Sequence, residues 1–489
     1  MKTVRDIPAL SGERLTGHIA EFRQDQGGLL RRLQQECGDI GTLRFFNMRV
    51  PTLNSPELIH EAFIEKAKSF RKSAATRIVF YPLAGKGLFS SEGELWRRQR
   101  KLMAPLFHPA AVRGYAETMN AVIGRYLDEW RDGQLIDVGR EMTRITMAVV
   151  GKVLFDADTF DEADELGAAI QVMFHYLIGQ VGTPSLFLKA PIAAYLLDLR
   201  GLPPWAEALR DRALGRLAMP LRLPTGEGRR VYEALERLDS SIQRTIAERR
   251  RIGLSRPDFL SRLLNASDED DGSVMTDRQV RDEALTLFVA GHETTAAGTT
   301  WSLYFLGRNP EVYRRWKDEA ASLGGKVPGA EDALRLSYTL GVFKEALRLY
   351  PPAALVDRLA IEDVEIGGYL LPRHSPLFIC PYALHRRPDL WPDPERFDPD
   401  RFTREAESKR HRLAWMPFGA GPRVCIGAQF ATLEAQLLLA QIAQRFELEP
   451  VSAEPVEPNF ETTLRPSKPV LLRVKKAAQR AVQPAIPTA

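Results

Sequence analysis

A proline-free segment between Thr276 and Pro310 places a strong limit on the fold. Thr276 and, three residues later, Gln279 form a capping box, which marks the start of a helix. Because no proline follows before Pro310, the sequence predicts one helix of about 30 residues, or roughly 45 Å in length. A helix this long crosses a whole globular protein, so the remaining elements must pack around it.

Small side chains lie on one face of this predicted helix. Ala284, Leu287, Gly291, Thr294 and Gly298 recur at alternating spacings of three and four residues, which places them on one face. A face that becomes small in its middle serves either a close helix crossing or a bulky group that lies against it.

Glu293 favours the bulky group, because a buried carboxylate needs a partner or a task. The segment Thr286–Gly307 is otherwise uncharged and long enough to span a bilayer, but it also contains five threonines. A carboxylate at the centre of a bilayer costs about 2.5–3.5 kcal/mol. We therefore interpret the segment as a helix buried in protein and expect no transmembrane anchor.

The composition of the 489 residues, with 44% hydrophobic and 27% charged, is typical of a folded globular protein. Its 67 Lys and Arg against 63 Asp and Glu give a net charge of +4, too balanced for a nucleic-acid partner. The three cysteines, Cys37, Cys380 and Cys425, cannot complete a disulfide framework, which favours a reducing cytoplasm. The charged segment Met1–Phe22 does not have the pattern of a signal peptide.

The remaining patterns predict a mainly α fold with small β-sheets. Apolar residues recur with helical periodicity among charges from Tyr115 to Ile170. Short strands are expected at Val364–Tyr369 and Leu377–Ile379. Glycine and serine break the periodicity from Phe70 to Leu95, where we expect a loop between two helices. The proline-rich segment Leu390–Phe402 predicts an ordered meander.

The segment Phe418–Gly427 delivers a cysteine to the start of an apolar, periodic run over residues 428–446. Gly419 allows backbone angles that other residues resist, and Gly427 lets a flat ligand approach the chain. Free amides at a helix start favour thiolate over thiol, so Cys425 is a candidate ligand for iron. An isolated cysteine is more often a small buried hydrophobe, but these constrained neighbours favour the ligand.

This segment resembles the haem-binding signature of the cytochromes P450, and further motifs of that family follow in the expected order. The signature positions are Phe418, Gly419, Gly421, Arg423, Cys425 and Gly427; the other motifs are Ala290–Thr295, Glu345–Arg348 and the meander Pro394–Phe402, with Trp96 and Arg100 on an earlier helix. The resemblance covers roughly residues 30 to 475. It implies the cytochrome P450 fold, with the long central helix crossing over haem b, in a single haem domain over residues 1–489 with a flexible tail at 476–489.

The resemblance also implies roles for individual residues. Cys425 would hold the haem iron, Thr294 would deliver protons on the oxygen-binding side, and Glu293 would supply them. Ala290 and Gly291 would leave room for oxygen and substrate. Donors to the haem propionates are expected at Trp96, Arg100, Arg358 and Arg423, while Phe418, Gly419 and Gly427 shape the turn around the cysteine. Glu345 and Arg348 would form a structural lock with an arginine of the meander, for which we favour Arg396.

The implied activity is insertion of one oxygen atom from O₂ into a C–H bond of a hydrophobic substrate such as a fatty acid, terpenoid or steroid-like molecule. The segment after Cys425 has no Rossmann or Walker motif. Electrons from NAD(P)H would therefore arrive through a separate ferredoxin or flavodoxin with its reductase. Arg97, Arg98 and Lys101 form either its docking patch or an ordinary solvated face. We expect a monomer, and the apolar segment Met173–Trp205 suggests peripheral membrane contact. A peroxide-driven peroxygenase or decarboxylase and a non-catalytic haem sensor are the alternatives.

Overall fold

The computed structural model of the chain describes residues 2–156, 163–181, 183–199, 201–220, 226–253, 259–266, 272, 274–460 and 463–477. Most of the expected C-terminal tail, residues 478–489, lies outside this set. In the described residues, helices predominate and the strands form small sheets. The expected fold class is confirmed.

The helices are numbered in chain order. The first ten are α1 (Ile19–Gln24), α2 (Gln26–Cys37), α3 (Pro56–His60), α4 (Ala74–Ala84), α5 (Gly93–Met103), α6 (Pro109–Gly114), α7 (Ala116–Asp128), α8 (Val138–Phe155), α9 (Ala163–Gln180) and α10 (Pro184–Asp198). The others are α11 (Pro204–Ala218), α12 (Gly226–Ile252), α13 (Phe259–Asn265), α14 (Asp277–Arg308), α15 (Pro310–Ala321), α16 (Ser337–Leu349), α17 (Pro381–Leu384), α18 (Arg404–Ser408) and α19 (Ala428–Arg445).

The strands are short and belong to four sheets within the described residues. They are β1 (Lys2–Thr3), β2 (Ile40–Phe45), β3 (Met48–Leu53), β4 (Phe70–Arg71), β5 (Leu135–Asp137), β6 (Val356–Ala360), β7 (Val364–Ile366), β8 (Tyr369–Leu371), β9 (Pro376–Ile379), β10 (Phe446–Pro450), β11 (Pro458–Phe460), β12 (Leu464–Pro466) and β13 (Leu471–Lys476). The largest sheet has the order β2-β3-β9-β6-β4, with β3 and β9 parallel. The others are β1-β8-β7, β10-β13-β5 and the hairpin β11-β12.

The predicted central helix is present as α14, which begins and ends where the sequence indicates. Thr276 Oγ1 accepts the Gln279 N–H at 3.3 Å, and Gln279 Oε1 accepts the Thr276 N–H at 2.9 Å. The 32 residues of α14 span about 48 Å. It is buried for most of its length and packs against α4, α8, α12, α16 and α19. Among the described residues, no helix has the length and apolar character that a membrane crossing requires.

The expected loop from Phe70 to Leu95 is wrong in its first half, where the structure has helix α4. Ser73 caps this helix by accepting the Thr76 N–H at 3.1 Å. Its apolar residues are buried against α10, α11 and α14, so tertiary packing stabilises a helix even with Pro82 inside it. The loop is confined to the segment between α4 and α5, residues 85–92.

Candidate active site

The turn before α19 holds Cys425 in a defined place. The Cys425 N–H donates to the Phe418 carbonyl oxygen at 2.9 Å, which closes the turn. Gly421 has a φ of +67°, and a Cβ there would collide with the Phe63 carbonyl oxygen. A glycine is therefore required at this position. The helix begins at Ala428, so the cysteine lies just ahead of it, as predicted.

The residue Cys425 retains accessible surface although protein surrounds its thiol. Burial raises the pKa of this thiol above its ordinary value, and the Gly427 amide and the charges of Arg100 and Lys72 only partly oppose that effect. An accessible surface within dense protein means that the sulfur faces an internal hollow. The Gly427 amide acts in the direction that the sequence predicts for a helix start, but desolvation outweighs it. A bound metal cation would hold the thiolate form.

The middle of α14 also faces open space. Ala290 is exposed and Thr294 half-buried, whereas Val289, which precedes Ala290, and His292, which lies between the two, are 7% and 0% exposed. The Thr294 hydroxyl donates to the Ala290 carbonyl oxygen at 3.0 Å. One narrow face of a buried helix is thus left uncovered, as a group lying against it would require.

The two alternatives for the small face of α14 each hold at different residues. A Cβ on Gly298 would approach Phe343 of α16 to 2.8 Å, and one on Gly291 would approach Val150 of α8 to 3.1 Å. Both glycines therefore serve close helix crossings. Of the two residues expected to leave room for a ligand, Ala290 is exposed, whereas half-buried Gly291 also packs against α8.

Arg423 supplies a donor that protein does not satisfy. Its guanidinium lies 4.0 Å from the Trp96 ring centre, Nη2 donates to the Ser91 carbonyl oxygen at 2.9 Å, and it also pairs with Glu92. Its Nη1 is buried and has no hydrogen-bond partner in the part of the chain that the structure describes. Such an atom costs about 1–3 kcal/mol unless an acceptor reaches it, and a haem propionate is an acceptor of the right charge.

Lys72 and Arg358 lie in the same cationic cluster. Burial, followed by the charges of Arg358 and Arg423, lowers the pKa of Lys72 to about 7. Burial also lowers the pKa of Arg358, which is 9% exposed, and lowers that of Arg423 to about 10. Glu92 and Asp357 share this cluster, and the cations that remain in excess fit the carboxylates of haem. Sequence reasoning missed Lys72, because a lysine between two helices carries no motif.

The expected structural lock is present, with a different arginine. Arg348 Nε and Nη2 donate to the Glu345 carboxylate at 2.6 and 2.8 Å, and both side chains are 0% exposed. The meander side chain at Glu345 is Arg401, at 3.3 Å. Arg396, the residue expected there, contributes only its carbonyl oxygen, at 3.2 Å from Arg348 Nη2. The turn Pro399–Phe402 directs the later arginine inward.

Glu293 does not contact Thr294. Its Oε1 accepts the Thr463 hydroxyl at 2.9 Å, and its Oε2 pairs with the guanidinium of Arg465. Thr463 and Arg465 belong to the segment of the β11-β12 hairpin that follows residue 462. Neither residue was singled out as a partner of Glu293 from the sequence, because the pair joins positions far apart in the chain.

Comparisons with known proteins agree with this geometry. The sequence model of the family Cytochrome P450 matches residues 11–200 and 212–474. Cyclooctatin synthase of Streptomyces melanosporofaciens is 35% identical over 462 residues, covering 94% of both chains. Pentalenene oxygenase of Streptomyces avermitilis is 32% identical, covering 82% of this chain and 81% of its own.

A second relative from Streptomyces melanosporofaciens, cyclooctat-9-en-7-ol 5-monooxygenase, is 32% identical over 85% of this chain and 83% of its own. The crystal structure of the cytochrome P450DA heme domain superimposes with a TM-score of 0.80 at 27% identity, covering 97% of this chain and 98% of that chain. The chain therefore belongs to the cytochrome P450 family and is a haem b monooxygenase, of a family whose members draw electrons from NAD(P)H through redox partners.

Proposed function

We propose that this enzyme inserts one oxygen atom from O₂ into a C–H bond of a terpenoid. Of the three hydrophobic classes expected from the sequence, the relatives named for cyclooctatin and pentalenene favour this one. The observation that carries the proposal is the accessible pair Ala290 and Thr294 in the middle of a helix that is buried for most of its length. A hydroxyl at such a place can serve a reaction beside it.

The chain's own residues divide the work. Haem, when bound, supplies oxygen binding and activation. Cys425 would hold its iron, with Arg423, Arg358, Arg100, Lys72 and Trp96 around the propionates. The Thr294 hydroxyl would turn from the Ala290 carbonyl to hand a proton into the hollow, and Glu293 would replace that proton.

The test is turnover of a terpenoid panel with NAD(P)H, ferredoxin and ferredoxin reductase. We expect a Soret shift on binding and a hydroxylated product for cyclic terpenes or their alcohols. Products from fatty acids or steroids alone would overturn the terpenoid class. Turnover with hydrogen peroxide in place of the redox proteins would favour the peroxygenase, which the presence of both Glu293 and Thr294 argues against.

We infer that a ferredoxin or flavodoxin docks beside α5. Arg97 is exposed and pairs with Glu94, and Arg98 and Lys101 lie on the same helix. An acidic partner would bind this basic segment with an affinity that falls as salt rises. Arg97→Glu should therefore weaken reduction by the partner and leave reduction by dithionite unchanged.

We further propose that residues 1–489 form one haem domain that acts as a monomer in the cytoplasm. Strands from the two ends of the described chain support the single domain, since β1 pairs with β8 and β13 pairs with β5. The three cysteines are free, in keeping with a reducing compartment. Light scattering of the purified chain would contradict the monomer if it gave twice the mass.

An apolar surface on α10 and α11 supports the proposed peripheral membrane contact. Its exposed residues recur at helical spacing and are followed by two arginines: Leu188, Ile192 and Tyr195 on α10, with Trp205, Leu209, Arg212 and Arg216 on α11. Aromatic and basic side chains together suit an anionic lipid surface. We expect the protein to co-sediment with anionic liposomes and the double variant Trp205→Ser/Leu209→Ser to lose this binding. If the wild type does not bind, the membrane contact is refuted.

A further inference from the structure

The carboxylate of Glu293 lies at the inner end of a second cavity. This cavity has a volume of about 530 Å³ and lies between α9, α12, α14 and the β11-β12 hairpin. Glu293 is 3% exposed, whereas His175, Glu227 and Arg230 on the same cavity wall are exposed. The cavity therefore leads from a polar surface to a buried carboxylate.

Contacts other than the ion pair also hold the hairpin in position. Trp301 of α14 donates its indole N–H to the Leu464 carbonyl oxygen at 2.9 Å, and the Leu464 N–H donates to the Pro352 carbonyl oxygen at 3.0 Å. These bonds attach Leu464, which lies between Thr463 and Arg465, to the core. The contacts of those two side chains with Glu293 are thus available for another task.

We propose that Arg465 is a positioning residue for proton delivery, which holds Glu293 charged at the inner end of this cavity. This rests on the relay proposed above. Both carboxylate oxygens of Glu293 contact side chains of the hairpin, whereas the Thr294 hydroxyl donates to the Ala290 carbonyl oxygen instead. Glu293 must release Arg465 before it can turn to Thr294, so the arginine sets when the proton taken up from the cavity moves inward.

Within the described residues, the charged and titratable groups around Glu293 are Arg465, half-buried at 26% exposure, His292, whose Nε2 lies 3.7 Å from Glu293 Oε2, and the cavity residues His175, Tyr176, Glu227 and Arg230. Burial lowers the pKa of His292, which disfavours its charged form. Arg465 is the cation in contact with Glu293, and removing it leaves a buried carboxylate that takes up a proton instead.

The experiment compares Arg465→Gln, Arg465→Lys and the control Arg230→Gln in the holoenzyme. For Arg465→Gln we expect product per NAD(P)H to fall about fivefold, with unchanged haem content and substrate affinity from the Soret shift. Arg465→Lys should retain most of the coupling, because it keeps the charge, and Arg230→Gln should match the wild type. The proposal would be overturned if a loss of substrate affinity in Arg465→Gln accounted for the whole fall in product per NAD(P)H.

Infrared spectroscopy provides a readout independent of turnover. Arg465→Gln should show a new carbonyl band of a protonated carboxyl group, absent from Arg465→Gln/Glu293→Gln. If Arg465→Gln binds no haem, Arg465→Lys and Thr463→Val are used for the test instead. The proposal would be overturned if Thr463→Val kept the wild-type coupling and solvent isotope effect while Arg465→Lys lost as much coupling as is expected for Arg465→Gln. Wild-type product per NAD(P)H in Glu293→Gln would instead refute the proposed relay. The infrared band would still show whether Arg465 keeps Glu293 charged, so the two failures can be distinguished.

Discussion

Two ion pairs with a buried glutamate in this molecule have opposite surroundings. Glu345 and Arg348 are both 0% exposed, and Arg348 also donates to the carbonyl oxygens of His385 and Pro394 at 2.8 and 2.7 Å. Glu293 is also buried, at 3% exposure, but its partner Arg465 is 26% exposed and the pair borders a cavity. An ion pair whose remaining donors bind the surrounding backbone stabilises the fold, whereas an ion pair that borders a cavity can separate.

Breaking the first pair should have the largest effect. Arg348→Leu leaves Glu345 buried without its bidentate partner, at a cost of about 3–5 kcal/mol, a large part of a typical stability of about 5–15 kcal/mol. We expect no folded holoprotein. The matched control is Arg314→Leu, which breaks an exposed pair with Glu311. Normal haem content in Arg348→Leu, measured by absorbance, would show that the pair is not structural.

The catalytic side of the comparison is tested at Thr294. Thr294→Ala should keep haem content and lower product per NAD(P)H by at least about tenfold, because it removes the proposed proton donor. Its control is Thr295→Ala, since the Thr295 hydroxyl is buried and donates to the Gly291 carbonyl oxygen at 3.1 Å. Equal coupling in the two variants would argue against a special role for Thr294.

A smaller effect separates the two meander arginines. Arg401→Gln removes a cation 3.3 Å from Glu345 and should lower the free energy of unfolding by about 1–3 kcal/mol. Arg396→Gln should be close to neutral, because Arg396 is exposed and contributes its backbone carbonyl. Thermal denaturation of both holoproteins measures the difference, and the reverse order of melting temperatures would restore Arg396 as the partner.

The smallest effect concerns pH and Lys72. With a pKa near 7 in the cluster with Arg358 and Arg423, Lys72 is mostly neutral above that pH, and a propionate beside it would draw a proton back. Haem binding through Lys72 therefore takes up a proton, so this contribution weakens as pH rises from about 7 towards the ordinary lysine value of about 10.4. Haem transfer to apomyoglobin should show Lys72→Met losing less affinity between pH 7 and 9 than the wild type. An identical pH dependence would exclude the contact.

How far sequence reasoning reaches depends on whether a signal is local. The capping box at Thr276 and the glycine turn before Cys425 are made by neighbouring residues, and both lie where they were expected. The helix α4 was missed because its stability comes from packing against α10 and α11. Arg401 was missed because two arginines in one irregular segment differ only in the direction that the turn gives them.

The sequence by itself determined the family, the position of the cysteine and the course of the central helix, since each depends on residue types at short spacing. Tertiary structure decided which cations share the cluster with Arg423, that Gly291 faces Val150, and that Glu293 pairs with Arg465. The physical reason is that burial and partners are set by elements that meet from distant parts of the chain. The role of a carboxylate depends on the residues that contact it, and its neighbours in the sequence do not show which residues those are.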